Sequence, residues 1–276
     1  MTYASLLVAV EDGPESDSRL ELACDLANTF GAHLTGLCTG SMAPPLYDPL
    51  GGGAMVGELL TLYRDMAQAD VERARNRFSG IVRERDIEAD WRGQIGYPGE
   101  ACTRAARAAD LVVLGSRNPR GPYHAPDVAD VLMGCGRPVL VVPPVRVRNP
   151  VGEHALVAWK DCREARLALA AALPLLRRAQ GVTLHSICSG DDAAVVEVEL
   201  ADVVHFLARH GISAEPLIAR RGERPVGGQI LDEALARNAG LIVAGGYGHA
   251  RLREWALGGV TRDLINDSPI CLCLAH

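Results

Sequence analysis

Aromatic side chains are scarce in this chain, Phe, Trp and Tyr together making up 4% of it. Its core must therefore be built from Leu, Val, Ile and Ala, and a hydrophobic content of 48% is enough to build one. Basic runs are missing as well. With a formal net charge of −6 and no cluster of Lys and Arg, non-specific nucleic-acid binding through a basic face is not expected. No apolar stretch approaches the roughly 20 residues that a membrane helix needs. Met1-Thr2-Tyr3-Ala4-Ser5 runs directly into a strand-like segment, without the charged region or cleavage pattern of a secretory signal. The eight cysteines lie singly with no C-x-x-C pair, and Cys271 and Cys273 share one face of a strand, where thiols ordinarily pack. These absences point to a reduced, cytoplasmic protein without membrane or nucleic-acid partners. No His/Cys/Asp spacing suggests a metal. No nucleophile-elbow pattern surrounds Ser5, Ser116 or Ser186, so no catalytic residue is expected either.

What is present is a repeat. At 276 residues the chain is long for one domain, and short apolar segments recur in the same order along it. Val8-Ala9-Val10-Glu11-Asp12 returns 149 positions later as Val157-Ala158-Trp159-Lys160-Asp161, and Gly36-Leu37-Cys38 returns after 150 as Ser186-Ile187-Cys188. Asp110 to Ser116 returns after 130 as Gly240 to Gly246, and Arg137 to Val142 after 131 as Ser268 to Cys273. The offset falls by 20 once, where the first half carries an extra Pro/Gly-rich stretch, Ser41 to Gly53, a candidate lid or partner-binding loop.

Each half reads as five strands alternating with helices. Strands are expected near 5–10, 33–39, 89–95, 110–115 and 138–142, then near 155–159, 181–187, 213–219, 240–244 and 269–274. Helical spacing marks Ser16 to Phe30, with Gly31 as its stop, and Val56 to Arg85, whose many charges suit a solvated face. Strands apolar on both faces imply a mainly parallel sheet covered on both sides. The fold class is therefore α/β, two tandem doubly wound domains over 1–145 and 151–276, joined by a linker rich in proline and charge (143–150).

In such sheets ligands bind beyond the carboxyl ends of the strands, near the switch in strand order. After the fourth strand of the second half, Gly245 and Gly248 lie three apart, nine residues separate Gly248 from Gly258, and Gly258-Gly259-Val260-Thr261-Arg262 opens the last helix. Glycines let a phosphate approach the backbone, and the free N–H groups of a helix start suit an anion. Thr261 adds a hydroxyl, Arg262 a charge, and His249 borders the loop. The same glycines could equally turn the chain and cap the helix. His185 and His205 read as hydrogen-bonded core residues.

This pattern, together with both strand-one segments and the tandem arrangement, resembles the universal stress protein family, in the form with two such domains in one chain. The resemblance implies a loop that holds the phosphates of ATP or another adenine nucleotide, alone or with Mg2+. It also implies an acid after strand one that holds adenosine and an apolar residue at the end of strand two that lines the base. On this chain those positions fall on Gly245, Gly248, Gly258, Gly259 and Thr261, on Ala158, Lys160 and Asp161, and on Ile187, with Ser186 as the neighbouring choice. Gly259 stands where a hydroxyl is usual. Lys160 stands where the acid is usual, and a lysine accepts no hydrogen bond. The resemblance further implies an intramolecular pseudo-dimer through the last strands, Val139 to Val142 and Ile270 to Leu274, leaving other surfaces for a homo-oligomer.

The first half keeps Glu11 at the acidic position but no glycine at the counterparts of Gly248, Gly258 and Gly259. Asn118, Val128, Ala129 and Val131, or Arg117, Asp127, Val128 and Asp130 one register away, occupy the corresponding places, and Pro119, Pro122 and Pro126 remove N–H donors. That half reads as structural or regulatory. The expected function is a nucleotide-binding stress-response regulator rather than a fast catalyst; the alternative is a scaffold of the same fold that binds no nucleotide.

Overall fold

The structure, a computed structural model, describes residues 2–41, 53–117, 121, 123–145, 148–247 and 259–276. Its contacts divide the chain into two compact units, Ala4–Cys135 and Met1–Tyr3 with Gly136–His276. The insertion read as a candidate lid or partner-binding loop lies largely outside the described residues, as do Gly248, His249 and Gly258 of the glycine loop.

In the N-terminal unit the strands are β1 (Ser5–Ala9), β2 (His33–Gly40), β3 (Ala89–Ile95) and β4 (Leu111–Gly115), and the longer helices are α1 (Pro14–Phe30), α2 (Gly53–Arg85), α3 (Pro98–Ala105) and α4 (Val128–Gly134). The strands line up as β3-β2-β1-β4, all parallel, with Leu7 abreast of Thr35 on one side and of Val112 on the other. The chain leaves β1 toward β2 and later returns on the other side as β4. The switch in strand order is therefore between β1 and β4, where a crevice opens at the carboxyl ends.

Strand residues Leu6, Leu7, Val8, Val112 and Val113 are at most 1% exposed, as a parallel sheet covered on both faces requires. Gly31 ends α1 in the left-handed region, φ 62°, returning its N–H to the last turn. Helix α2 is tied to α1 by Arg77 to Asp17 at 2.6 Å and Arg85 to Asp25, and to the turn before α1 by Arg73 to Asp12 at 2.6 Å; the last of these draws the turn toward α2. Each is a half-exposed pair contributing little alone.

The C-terminal unit contains β5 (Val139–Val142), β6 (His154–Ala158), β7 (Gly181–Cys188), β8 (Ala214–Arg220), β9 (Ala239–Gly245) and β10 (Cys271–Ala275), with α5 (Arg163–Leu176), α6 (Ala193–Arg209), α7 (Val226–Ala236) and α8 (Gly259–Asp267). The order is β5-β10-β9-β6-β7-β8. The arrangement β8-β7-β6-β9 repeats β3-β2-β1-β4 of the other unit, the topological counterpart of the repeat in the sequence. Strand β5 alone runs antiparallel, pairing Val139 with Leu274 and Val141 with Leu272. The two last strands of the repeats therefore pair with each other, inside this unit. Among the described residues, no helix is long and apolar enough to cross a membrane.

One polar cluster lies in the C-terminal sheet beside α7. Arg237 Nη1 donates to Thr183 Oγ1 at 2.9 Å and to Glu215 at 3.0 Å, its Nε donates to Glu233 at 2.6 Å, and His154 Nε2 shares the Thr183 hydroxyl at 2.9 Å. His185 is 3% exposed, yet neither of its ring nitrogens has a partner. It is a core histidine as expected, but not a hydrogen-bonded one, and His205 is on the surface instead. Burial keeps the His185 ring below the ordinary imidazole range; Glu233 pulls the other way and Arg237 adds to the burial effect.

The sign follows. Below the ordinary imidazole pKa of roughly 6.5 the unfolded ring takes up a proton that the native ring refuses. Stability is thus complete above that pH and is lost as pH falls toward the depressed native value, by at most about 1.4 kcal/mol per pH unit per proton. Thermal melts at pH 7.5, 6.5 and 5.5 should show this decline, and His185→Leu should flatten it. An equally steep decline in the variant would rule His185 out as its source.

Candidate functional site

The crevice between β1 and β4 of the N-terminal unit holds a cavity of about 210 Å³, lined by Glu11, Arg19, Gly115, Ser116, Asp127 and Val128 among others. Arg19 dominates it. This arginine lies on the buried face of α1, in one stripe with Ser16, Leu20, Ala23 and Ala27, and is 4% exposed. Its Nε donates to the Ala9 carbonyl at the end of β1 at 2.9 Å, and its Nη2 reaches the Glu11 carboxylate and Ser16 Oγ. A Cβ built on Gly115 would stand 2.3 Å from Arg19 Nη1, so the strand end must be glycine for the guanidinium to lie there. Ser16 Oγ also accepts from the Glu11 N–H at 3.0 Å, closing the turn after β1.

At the far side of the cavity, Asp127 caps α4: its carboxylate accepts from Ala129 N–H at 2.9 Å and Asp130 N–H at 3.1 Å. A smaller cavity of about 10 Å³ adjoins, sharing Glu11, Ala125 and Pro126 and adding Val10, Leu37 and Thr39. The Thr39 hydroxyl is buried there without a partner.

In the C-terminal unit the same places are filled differently. Ala168 stands where the other repeat has Arg19, and Lys160, exposed, where it has Glu11. Asp161, the acid one place later, is paired with Arg166 of α5 at 2.6 Å. Trp159 replaces Val10; its indole is 6% exposed and Nε1 has no acceptor. Ala158, the last residue of β6, and Ile187, one before the end of β7, are half-buried, and Ser186 is buried. Beyond β9, Gly246 N–H donates to the Ala275 carbonyl at 2.8 Å, and Tyr247 N–H donates to Thr261 Oγ1 at 3.2 Å. Both amides are thus engaged internally, and Thr261, 5% exposed, serves the loop itself. Gly259 and Val260 open α8 on the surface with Arg262 exposed, and no described residue lies within 4 Å of where a Gly259 Cβ would be.

Gly245 has a packing reason of its own. A Cβ there would meet the backbone of α5, 2.6 Å from Ala165 N and 2.8 Å from Glu164 C. Among the described residues, no group of His, Cys, Asp and Glu could hold a metal ion. Burial pushes the thiols of Cys24, Cys102, Cys271 and Cys273 up to about 12, far from a reactive thiolate.

A profile of the universal stress protein family matches residues 2–143. The chain belongs to that family. The match falls on the half without the glycine loop, so it is carried by features other than that loop. Among solved structures, a universal stress protein from Archaeoglobus fulgidus DSM 4304 superposes with a TM-score of 0.72 at 17% identity, covering 98% of this chain and 97% of its own. A functionally unknown protein from Pseudomonas aeruginosa PAO1 gives 0.61 at 18% identity, covering 99% and 92%. At such identities the likeness is one of fold. No curated protein matches the sequence.

Reading the sequence for acids and glycines alone missed Arg19, Asp127 and Thr39. The first left a signal, a charge inside the apolar stripe of α1, and the second another, an aspartate directly before a helix. Two substitutions test the geometry. Gly245→Ala should destabilise the C-terminal unit by about 1–3 kcal/mol through overpacking against α5, with or without nucleotide; an unchanged urea midpoint would mean that α5 can retreat. Arg19→Met should lose about 3 kcal/mol by leaving Glu11 without its cation, and adding Glu11→Gln should recover part of that loss in the same measurement.

Proposed function

We propose that this universal stress protein acts in the stress response by binding a ligand rather than by turning one over, taking ATP or a related adenine nucleotide at the carboxyl end of the C-terminal sheet. The observation that carries this reading is the start of α8. No described residue lies within 4 Å of where a Gly259 Cβ would be, and the residues leading to it keep the spacing Gly245, Gly248, nine residues, Gly258. A helix start that carries no Cβ at its first residue suits a phosphate group. Since the Gly246 and Tyr247 amides serve the fold, phosphate ligands would have to come from beyond Tyr247 and from α8, with Arg262 and His249 as charged or polar neighbours. Lys160 would meet the nucleotide as a cation, on phosphate rather than on ribose hydroxyls. Bound nucleotide would then bias a conformation or a partner interaction, with Mg2+ as an adjunct of its phosphates.

A scaffold that binds no nucleotide in this unit is the second reading. It is favoured by the same two engaged amides, by the Asp161–Arg166 pair, and by the Trp159 indole in the place of a valine.

Equilibrium dialysis of the whole chain against ATP separates the two. The first reading expects saturable binding that weakens at least about tenfold, roughly 1.4 kcal/mol, in Gly248→Asp. Absence of binding, or binding indifferent to that substitution, leaves the scaffold.

A further inference from the structure

Strand β3 ends the N-terminal sheet, pairing with β2 and with no other strand among the described residues. Leu34 N–H donates to the Glu88 carbonyl and Gly96 N–H to the Gly40 carbonyl, so the even-numbered residues of this segment turn toward β2. Ala89, Trp91, Gly93 and Ile95 therefore turn their N–H and C=O groups outward, an unused ladder of the kind that takes another strand. The C-terminal unit blocks the same edge. In β8, Arg221 N–H donates to the Cys188 carbonyl, which turns the even-numbered residues outward, and one of these is Pro216, with no N–H to give. Pro216 stands abreast of Leu184 as Ala89 stands abreast of Leu34, so the two positions correspond. No proline interrupts β3.

Its side chains indicate what fits there. Asp90 and Arg92 are exposed on one face of β3, two residues apart and opposite in sign. Asp90 meets His33 at 3.1 Å, and Arg92 has no ion pair among the described residues. Set antiparallel to its own copy about a two-fold axis at Trp91, β3 brings Asp90 opposite Arg92 of the second copy, and Arg92 opposite Asp90 of the second copy. The same register sets outward residues against outward residues, Ala89 against Gly93 and Trp91 against itself. An axis at Asp90 or at Arg92 would instead oppose that charge to its own image. The chain already uses antiparallel pairing of this kind once, between β5 and β10.

We infer that the outer edge of β3 is a self-association surface, through which two copies of this chain join antiparallel about a two-fold axis at Trp91, with twin ion pairs between Asp90 and Arg92. The backbone ladder supplies the affinity and the ion pairs select the register. The occupant is a second copy because charges of opposite sign two residues apart match their own image under that axis.

Sedimentation equilibrium of the whole chain over roughly 1–100 µM should show a reversible monomer–dimer equilibrium. Asp90→Arg and Arg92→Asp each oppose like charges at two places and should weaken the dimer at least about tenfold. The double variant restores the match with the signs exchanged and should return to within about threefold of the wild type. Ala89→Pro copies the edge of β8 and removes one outward N–H from each copy; it too should weaken the dimer at least about tenfold. A wild type that stays monomeric, a dimer indifferent to either single reversal or to Ala89→Pro, or a double variant as weak as the singles would each overturn the inference. Should Ala89→Pro not fold, the charge-reversal cycle, confined to exposed side chains, decides alone. None of these results depends on whether ATP binds the C-terminal unit, which Gly248→Asp reports separately.

Discussion

A buried guanidinium must have its charge answered and its donors used, and the mouth of the N-terminal sheet is organised around that demand. Arg19 answers it with one backbone carbonyl, one carboxylate and one hydroxyl, contributed by the end of β1, the turn after it and the first turn of α1. Unanswered, such a charge would be among the most expensive things a core can contain. The requirement explains why Gly115 has no side chain, why Ser16 is buried, and why Glu11 stays at the crevice instead of reaching into solvent. The shape of the cavity follows from the pair that frames it.

The two units show one topology with two fillings. Where the first has an ion pair and open volume, the second has alanine, an exposed lysine and an indole. Where the first caps α4 with a carboxylate, the second leaves α8 opening on glycine. Helix starts carry partial positive charge whichever residues form them; at α4 the Asp127 carboxylate neutralises it. Duplication followed by opposite choices at this one point yields two differently filled crevices on equivalent frameworks.

Much of the framework was legible in the sequence because buried parallel strands leave continuous apolar runs. The ten strands fall within two residues of the expected positions, and Gly31 stops α1 as a glycine at that place should. The sites were less legible, for a physical reason. Gly245 looks the same whether a phosphate or a helix backbone approaches it, and only coordinates reveal that α5 does. The Gly246 and Tyr247 amides are backbone groups whose use depends on where Ala275 and Thr261 come to lie, more than a dozen residues away. Conversely, of the glycines sought the first half keeps only Gly115, the counterpart of Gly245, and still has a cavity framed by Arg19. His185 likewise gave no hint that its ring would be left without a partner.

The antiparallel pairing of β5 with β10 separates two boundaries that usually coincide. By descent, residues 139–142 close the first copy of the repeat; by hydrogen bonding they complete the sheet of the second. Anyone producing half of the chain therefore meets a choice of scissors. A fragment beginning after the proline-rich linker would present β10 with a bare row of amides and carbonyls, an adhesive border inviting self-association. One beginning at Gly136 would keep β10 paired with β5.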